Sequence, residues 1–226
     1  MTISGTVRLE WSVDQAGYEL VHVTPPHDPA HPSGGGEWTS LLGFREPYDV
    51  IRGKGGSPRL YRPLEEHPGL YRRFAEQCES VEGLIEFANE FGLPIYRFNN
   101  GYAVAEAKTE EVFRNRAFFM QIARALDNGD TDAAAHIFNH APQAAMTCQL
   151  VKNSDGRFDS VIIPTSLAGA FLVQAMSEIR GESKFRRCKN CPTWFPYGSG
   201  TGHTSRREFC SDRCRVAWGR RHRSAP

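Results

Sequence analysis

Nowhere in the 226 residues does a run of eighteen apolar residues occur, which excludes a conventional membrane-spanning helix. The opening Met1-Thr2-Ile3-Ser4-Gly5 has neither the basic n-region nor the apolar h-region of a secretory signal, which predicts a cytoplasmic protein with no membrane partner. Internal repeats and low-complexity tracts are also missing, so a solenoid or a disordered tail is not expected. Net charge is nearly absent at +1, with 27 Lys+Arg against 26 Asp+Glu. What is present, 40% apolar and 23% charged residues, is the composition of a globular protein. The length suits one ordinary domain with a small one appended.

The near-neutral total conceals a segregation of sign. Residues 1–183 carry 16 Lys+Arg against 24 Asp+Glu, a net of −8, whereas residues 184–226 carry 11 against 2, a net of +9. This divides the chain into an acidic body (1–183) and a basic module (184–226), with Gly181-Glu182-Ser183 at the boundary. Clustered cations release counterions when they meet a phosphate backbone, so the basic end is a candidate polyanion-binding appendage.

Within the body, Thr6–Val13 and Tyr18–Val23 alternate apolar and polar residues around Gln15-Ala16-Gly17 and predict a first hairpin. Pro25–Gly36 and Pro47–Pro68 are rich in Pro and Gly and read as long surface loops. Arg52-Gly53-Lys54-Gly55-Gly56 lacks the strand and helix that frame a phosphate loop, so it reads as a mobile loop. Helical character begins at Leu70. Ser80 caps the stripe Val81, Leu84, Ile85, Ala88, Phe91 before a Gly92 stop, a longer helix spans about 110–126, and Asp130 opens a short one. Cys148–Lys152 and Phe158–Ile163 flank an Asp155-Gly156 turn as a second hairpin, and Thr165–Arg180 is an apolar helix ended by Gly181. The expected fold is a helix-rich α+β body with two β-hairpins, followed by a small zinc ribbon.

Of six cysteines, Cys78 and Cys148 stand alone in apolar segments and read as core residues. The other four form two close pairs, Cys188-x2-Cys191 and Cys210-x3-Cys214, with eighteen residues between. Each pair makes a turn that aims two sulfurs at one ion, which predicts a single structural four-cysteine Zn2+ site; iron and a Cys188/Cys191 redox dithiol are the alternatives. With four thiolates no position remains for an activated water. The 39 residues from Phe185 to Arg223 cannot bury a sufficient core unaided, so the metal is expected to supply most of their folding free energy, with Trp194, Phe195 and Phe209 around it.

Around that platform lie Arg186, Arg187, Lys189, Arg206, Arg207, Arg213, Arg215, Arg220, Arg221 and Arg223, the candidate nucleic-acid contacts. Arginine outnumbers lysine nine to two, and its planar fork suits phosphate oxygens and guanine edges. Ser211-Asp212 is placed to cap a short helix carrying the last of these arginines, with Ala217 and Trp218 turned toward the metal.

The segments Phe185-Arg186-Arg187-Cys188-Lys189-Asn190-Cys191, Trp194-Phe195 and Ser205-Arg206-Arg207-Glu208-Phe209-Cys210-Ser211 carry a family likeness. Over about residues 145–223 the chain resembles the CGNR-type zinc-finger bacterial proteins with an ABATE-like N-terminal domain. The resemblance implies a DNA-binding, stress-induced transcription regulator that uses the four cysteines and neighbouring arginines. The family's Cys-Gly-Asn-Arg is here Cys214-Arg215-Val216-Ala217, so of that tetrapeptide only the cysteine carries over.

Three functions follow from these features. The first is a regulator whose body senses a ligand or partner and whose ribbon binds DNA or RNA. The second is a nuclease or ribonuclease of a toxin or phage-defence type, with Tyr197, His203, Arg206, Arg207 and Glu208 acting on phosphodiesters. The third is a protein-interaction module, including homo-oligomerisation of the basic end with the acidic body of another copy. In the body, Glu65, Glu66, His67 and the loop histidines His22, His27 and His31 show no catalytic spacing.

Overall fold

The structure, a computed structural model, describes residues 9–24, 47–95, 106–141, 146–152, 155–198, 201 and 204–223. The start of the first expected strand, the Pro25–Gly36 loop with His27 and His31, the Asn153-Ser154 part of the second turn, and His203 lie outside the described residues. Within them the architecture is mixed α+β, with small antiparallel sheets against a helical core.

Strands β1 (Trp11–Asp14) and β2 (Tyr18–Val23) exist, but they do not pair with each other as a hairpin. Their partners come from residues 47–61, where a loop was expected: β3 (Tyr48–Gly53) pairs with β2, and β4 (Pro58–Tyr61) pairs with β1. Alternation marks a strand without naming its partner, and Val50 and Ile51 are buried apolar residues inside an otherwise Pro/Gly-rich stretch. The result is one bent ladder, running Trp11↔Tyr61 to Asp14↔Pro58 and then Tyr18↔Gly53 to Val23↔Tyr48. At the bend the Asp14 carboxylate takes the place of ladder bonds, accepting from Gly55 N (2.7 Å), Gly56 N (2.8 Å) and Ala16 N (2.8 Å). The glycine loop expected to be mobile is therefore tied to a carboxylate of its own chain.

After β4 come α1 (Pro63–Glu66), α2 (Leu70–Gln77) and α3 (Val81–Phe91). Ser80 caps α3 by accepting from Gly83 N, and Gly92 ends it at φ 82°, both as the sequence predicts. Next are β5 (Glu106–Lys108), which extends the β2–β3 sheet, α4 (Thr109–Asp127), and α5 (Thr131–Asn139) capped by Asp130. The hairpin of β6 (Met146–Lys152) and β7 (Phe158–Pro164) leads to the apolar α6 (Leu167–Ile179). Cys78 is buried, and burial pushes its thiol pKa up. Cys148 is exposed, against expectation, because β6 stands clear of the core along most of its length.

The core is aromatic. Phe74 of α2 meets Phe87 of α3 (5.3 Å between ring centroids) and Phe171 of α6 (5.4 Å), and Phe171 meets Phe119 of α4 (5.4 Å). All four rings are fully buried, so removing one leaves a cavity costing about 3–5 kcal/mol. Helix α2 has no cap of its own. The Gln174 side chain from α6 accepts from Tyr71 N (3.3 Å) and donates to His67 O (2.9 Å), which satisfies that helix start.

The basic module contains β8 (Lys184–Arg187), β9 (Trp194–Tyr197) and α7 (Asp212–Arg223). Its hairpin is seated on α2. Phe185 joins the body core and packs edge-on to Tyr71 (6.4 Å), while Trp194 donates from Nε1 to Glu76 Oε2 (3.1 Å). Arg72 lies under Trp194, 4.9 Å from its ring centroid, with its side chain only 3% exposed. Its guanidinium forks onto both Glu178 oxygens (2.9 and 2.8 Å) and reaches Asp127 (2.8 Å), so the buried charge is matched. Tyr71 donates its hydroxyl to the same Glu178; burial, then the nearby Glu178 charge, pushes its phenol pKa well up.

Gly69 makes room for this contact. At φ 75°, a Cβ there would lie 2.9 Å from Trp194 Cβ and 3.1 Å from Phe185 Cδ1. Gly129 has the same φ with nothing near. Gly129→Ala is expected to cost about 1–2 kcal/mol from backbone strain alone, and Gly69→Ala at least ~1 kcal/mol more, in urea melts followed by tryptophan fluorescence. Equal costs would show that the module is not seated on α2.

Candidate metal centre and basic surface

The four cysteines of the two pairs come together at one point. Their sulfurs all lie within 4.8 Å of one another, with Cys210 3.5 Å from Cys214, Cys191 3.6 Å from Cys210, and Cys214 3.7 Å from Cys191. A tetrahedral ion with ~2.3 Å bonds to sulfur needs sulfur–sulfur edges of about 3.8 Å, so this donor set can hold one ion with little movement.

Local sequence builds each corner. The first turn is closed by Cys188 N donating to Thr193 O (2.9 Å), and the Cys188 sulfur accepts from Asn190 N and Cys210 N, each at 3.4 Å. Desolvation alone would raise the Cys188 pKa, but these backbone donors outweigh it and bring the thiol below its ordinary value. Ser211 caps α7 by accepting from Cys214 N (3.2 Å), which fixes the fourth sulfur on the first turn of that helix. Hydrogen bonds from the Asn190 amide and the Ser211 hydroxyl lower the Cys214 pKa to about 7, so this position favours the thiolate that a metal requires.

The sequence gives Asn190 no role beyond its place in the Phe185–Cys191 segment. Its amide supports Cys214 while its Oδ1 accepts from Arg221, so it links the first turn to α7. Its position inside the Cys188-x2-Cys191 turn is the only signal that pointed there. Two of the expected nucleic-acid arginines are also part of the frame. Arg186 donates to Ser205 O and Arg207 O (both 2.9 Å) and stacks on Tyr197 (4.2 Å); Arg207 donates to Phe209 O (2.7 Å) and Cys210 O (2.9 Å).

The remaining cations divide between the two sides of the module. Arg187 faces the body, 3.7 Å from Glu76, beside a groove of about 660 Å³ bordered by Glu76, Glu79, Glu86 and Glu90. Lys189 pairs with Glu208 at 2.6 Å. Arg215 pairs with Asp212 at 3.3 Å within α7. Arg206, Arg213, Arg215, Arg220 and Arg221 are all exposed, and Arg206 and Arg213 have no ion-pair partner among the described residues. Arg223 ends α7.

No protein-family model matches the chain, and no curated protein matches it at a significant level.

Of the alternative catalytic set, Arg206, Arg207 and Glu208 line one open cavity of about 440 Å³ together with Asp212 and Arg215. Glu208 is engaged with Lys189, Arg207 with backbone carbonyls, and Tyr197 with Arg186; His203 lies outside the described residues. Among the described residues no helix is long and apolar enough to cross a membrane.

Native mass spectrometry should find one metal ion per chain. Replacing Cys188, Cys191, Cys210 or Cys214 singly by Ser should lower metal affinity at least tenfold, whereas Cys78→Ser and Cys148→Ser should leave the stoichiometry unchanged. Metal retention by the four single variants would show that these sulfurs are not the ligands.

Proposed function

We propose that the chain is a zinc-ribbon nucleic-acid-binding protein of the regulator type, in which Cys188, Cys191, Cys210 and Cys214 hold one structural zinc ion and the acidic body senses a ligand or partner. Zinc is favoured because four thiolates at near-tetrahedral spacing suit a d10 ion with no geometric preference of its own. The zinc supplies the free energy that closes the ribbon; binding is done by the arginines that the closed ribbon displays.

The observation that carries this reading is the distribution of charge on the folded ribbon. Arg206, Arg213, Arg215, Arg220 and Arg221 stay exposed after Arg186 and Arg207 are consumed by the frame. On the other side, Glu76, Glu79 and Glu90 of the groove against the body are ion-paired with Arg187, Arg116 and Arg73, which leaves that side without a cationic excess, so nucleic acid is drawn to the α7 side. The nuclease reading has less support because Glu208 is paired with Lys189, Arg207 with main-chain carbonyls and Tyr197 with Arg186.

Fluorescence anisotropy with zinc-loaded protein and a nucleic-acid probe tests this directly. With about four phosphates neutralised, affinity should fall roughly a hundredfold between 50 and 200 mM salt, and the probe should remain intact. Binding that ignores salt, or none at 50 mM, would sink the proposal; a shortened probe would revive the nuclease.

One further observation favours a second reading, self-association. The β6–β7 hairpin exposes two large apolar side chains, Leu150 (68%) and Phe158 (66%). Sedimentation at rising protein concentration should then show a dimer that Leu150→Lys with Phe158→Lys returns to monomer. A wild-type chain that stays monomeric throughout would remove it.

A further inference from the structure

We propose that the ribbon reads the major groove of double-helical DNA through the outer face of α7, the stripe Arg213, Val216, Arg220. This rests on the nucleic-acid reading above and narrows it to one kind of duplex and one groove.

Helical spacing separates α7 into an inner and an outer face. Cys214 and Trp218, four apart, belong to the inner side: Cys214 is in the sulfur cluster, and Trp218 packs against Phe209 at 6.1 Å between centroids. Arg213, Val216 and Arg220 stand at i, i+3 and i+7 on a separate face, and all three are exposed. The metal corner at Cys214 and the Ser211 cap hold the helix in this rotation, so the stripe is presented rather than left to chance.

The size is right for one groove only. Twelve residues make a rod about 18 Å long and, with side chains, about 10–12 Å thick, which fits a B-form major groove roughly 12 Å wide and not a minor groove of roughly 6 Å. From Arg213 to Arg220 the helix rises about 10.5 Å, close to three base-pair steps of ~3.4 Å. Two guanidiniums so placed can each fork onto a guanine edge, with an apolar side chain between them for a thymine methyl. Val216 fills that middle position. It is 43% exposed and is the one large apolar residue of the ribbon found exposed among the described residues.

Single strands and RNA duplexes are fitted less well. Sequence-tolerant single-strand binding relies on exposed aromatic platforms. Here Phe195 is buried, Trp194 is held by Arg72 and Glu76, and Phe209 and Trp218 pack on each other. An A-form major groove is too narrow to admit a helix.

The test uses the full-length zinc-loaded chain with a random-sequence DNA duplex, the equivalent RNA duplex and the single strands. Competition is by methyl green, which occupies the major groove, and by netropsin, which occupies the minor groove. The DNA duplex should bind about tenfold or more tightly than the other probes, methyl green should displace the protein, and netropsin should not. Val216→Glu and Arg213→Ala should each weaken duplex binding about tenfold with zinc content and melting temperature unchanged, while Arg187→Ala, on the body side, should change it less than about threefold. Sequences selected from the pool should share guanines about three base pairs apart. Displacement by netropsin, equal or tighter binding of RNA or single strands, or an unaltered Val216→Glu affinity would overturn the groove assignment while leaving the nucleic-acid function standing. No binding to any probe would overturn both. The groove competition needs no variant, so the proposal stays testable even if a substitution disturbs the ribbon.

Discussion

The ribbon depends on four sulfurs held within 4.8 Å of one another. Some forty residues carrying eleven cations and two carboxylates have little apolar surface to bury and much like-charge repulsion to overcome. The cysteine cluster ties the first turn, the 204–210 segment and α7 together, and the surrounding hydrogen bonds are organised to present it. Cys188 gathers backbone donors from both halves, Ser211 fixes Cys214, and Asn190 reaches from the first turn to both Cys214 and Arg221. Even Arg186 and Arg207 serve closure, since each spends its guanidinium on main-chain carbonyls of the long connection between the cysteine pairs.

The ribbon does not hang freely from the body. Here the β8–β9 hairpin is pressed on α2 through Phe185 and Trp194, and the Arg72–Glu178 pair beneath it joins α2 to α6. Because Arg72 is buried and matched, losing either partner leaves an uncompensated charge in the interior, costing about 3–5 kcal/mol. The body's helical core and the ribbon therefore share residues.

How much of this could be read from sequence depended on whether the signal was local. The four-cysteine cluster was legible because each pair builds its own turn, and the caps at Ser80, Asp130 and Ser211 and the helices behind them follow from nearest-neighbour chemistry. Strand partners were not legible, since β1 and β2 find theirs between 25 and 50 residues away, in a stretch whose prolines and glycines suggested only loop. The exposure of Cys148 was missed for a related reason: apolar character on β6 reads as burial, and nothing in the sequence says that the hairpin stands away from the core. The long-range roles of Arg72, Gln174 and Gly69 were invisible for the same cause, because each is defined by what it meets a hundred or so residues away in the chain. Among the basic residues, sequence counted charges; the fold decided which of them face solvent.

The central claim is that metal-held closure of the ribbon creates the nucleic-acid surface. It is tested most directly by titrating a chelator into a preformed complex of the protein with labelled duplex DNA while following metal release and anisotropy in the same cuvette. The account predicts that the two curves coincide, with binding lost as the ion leaves and restored when zinc is added back. An anisotropy that stays high after the metal has gone would contradict it, because the arginines would then bind without the closed ribbon that is held to display them.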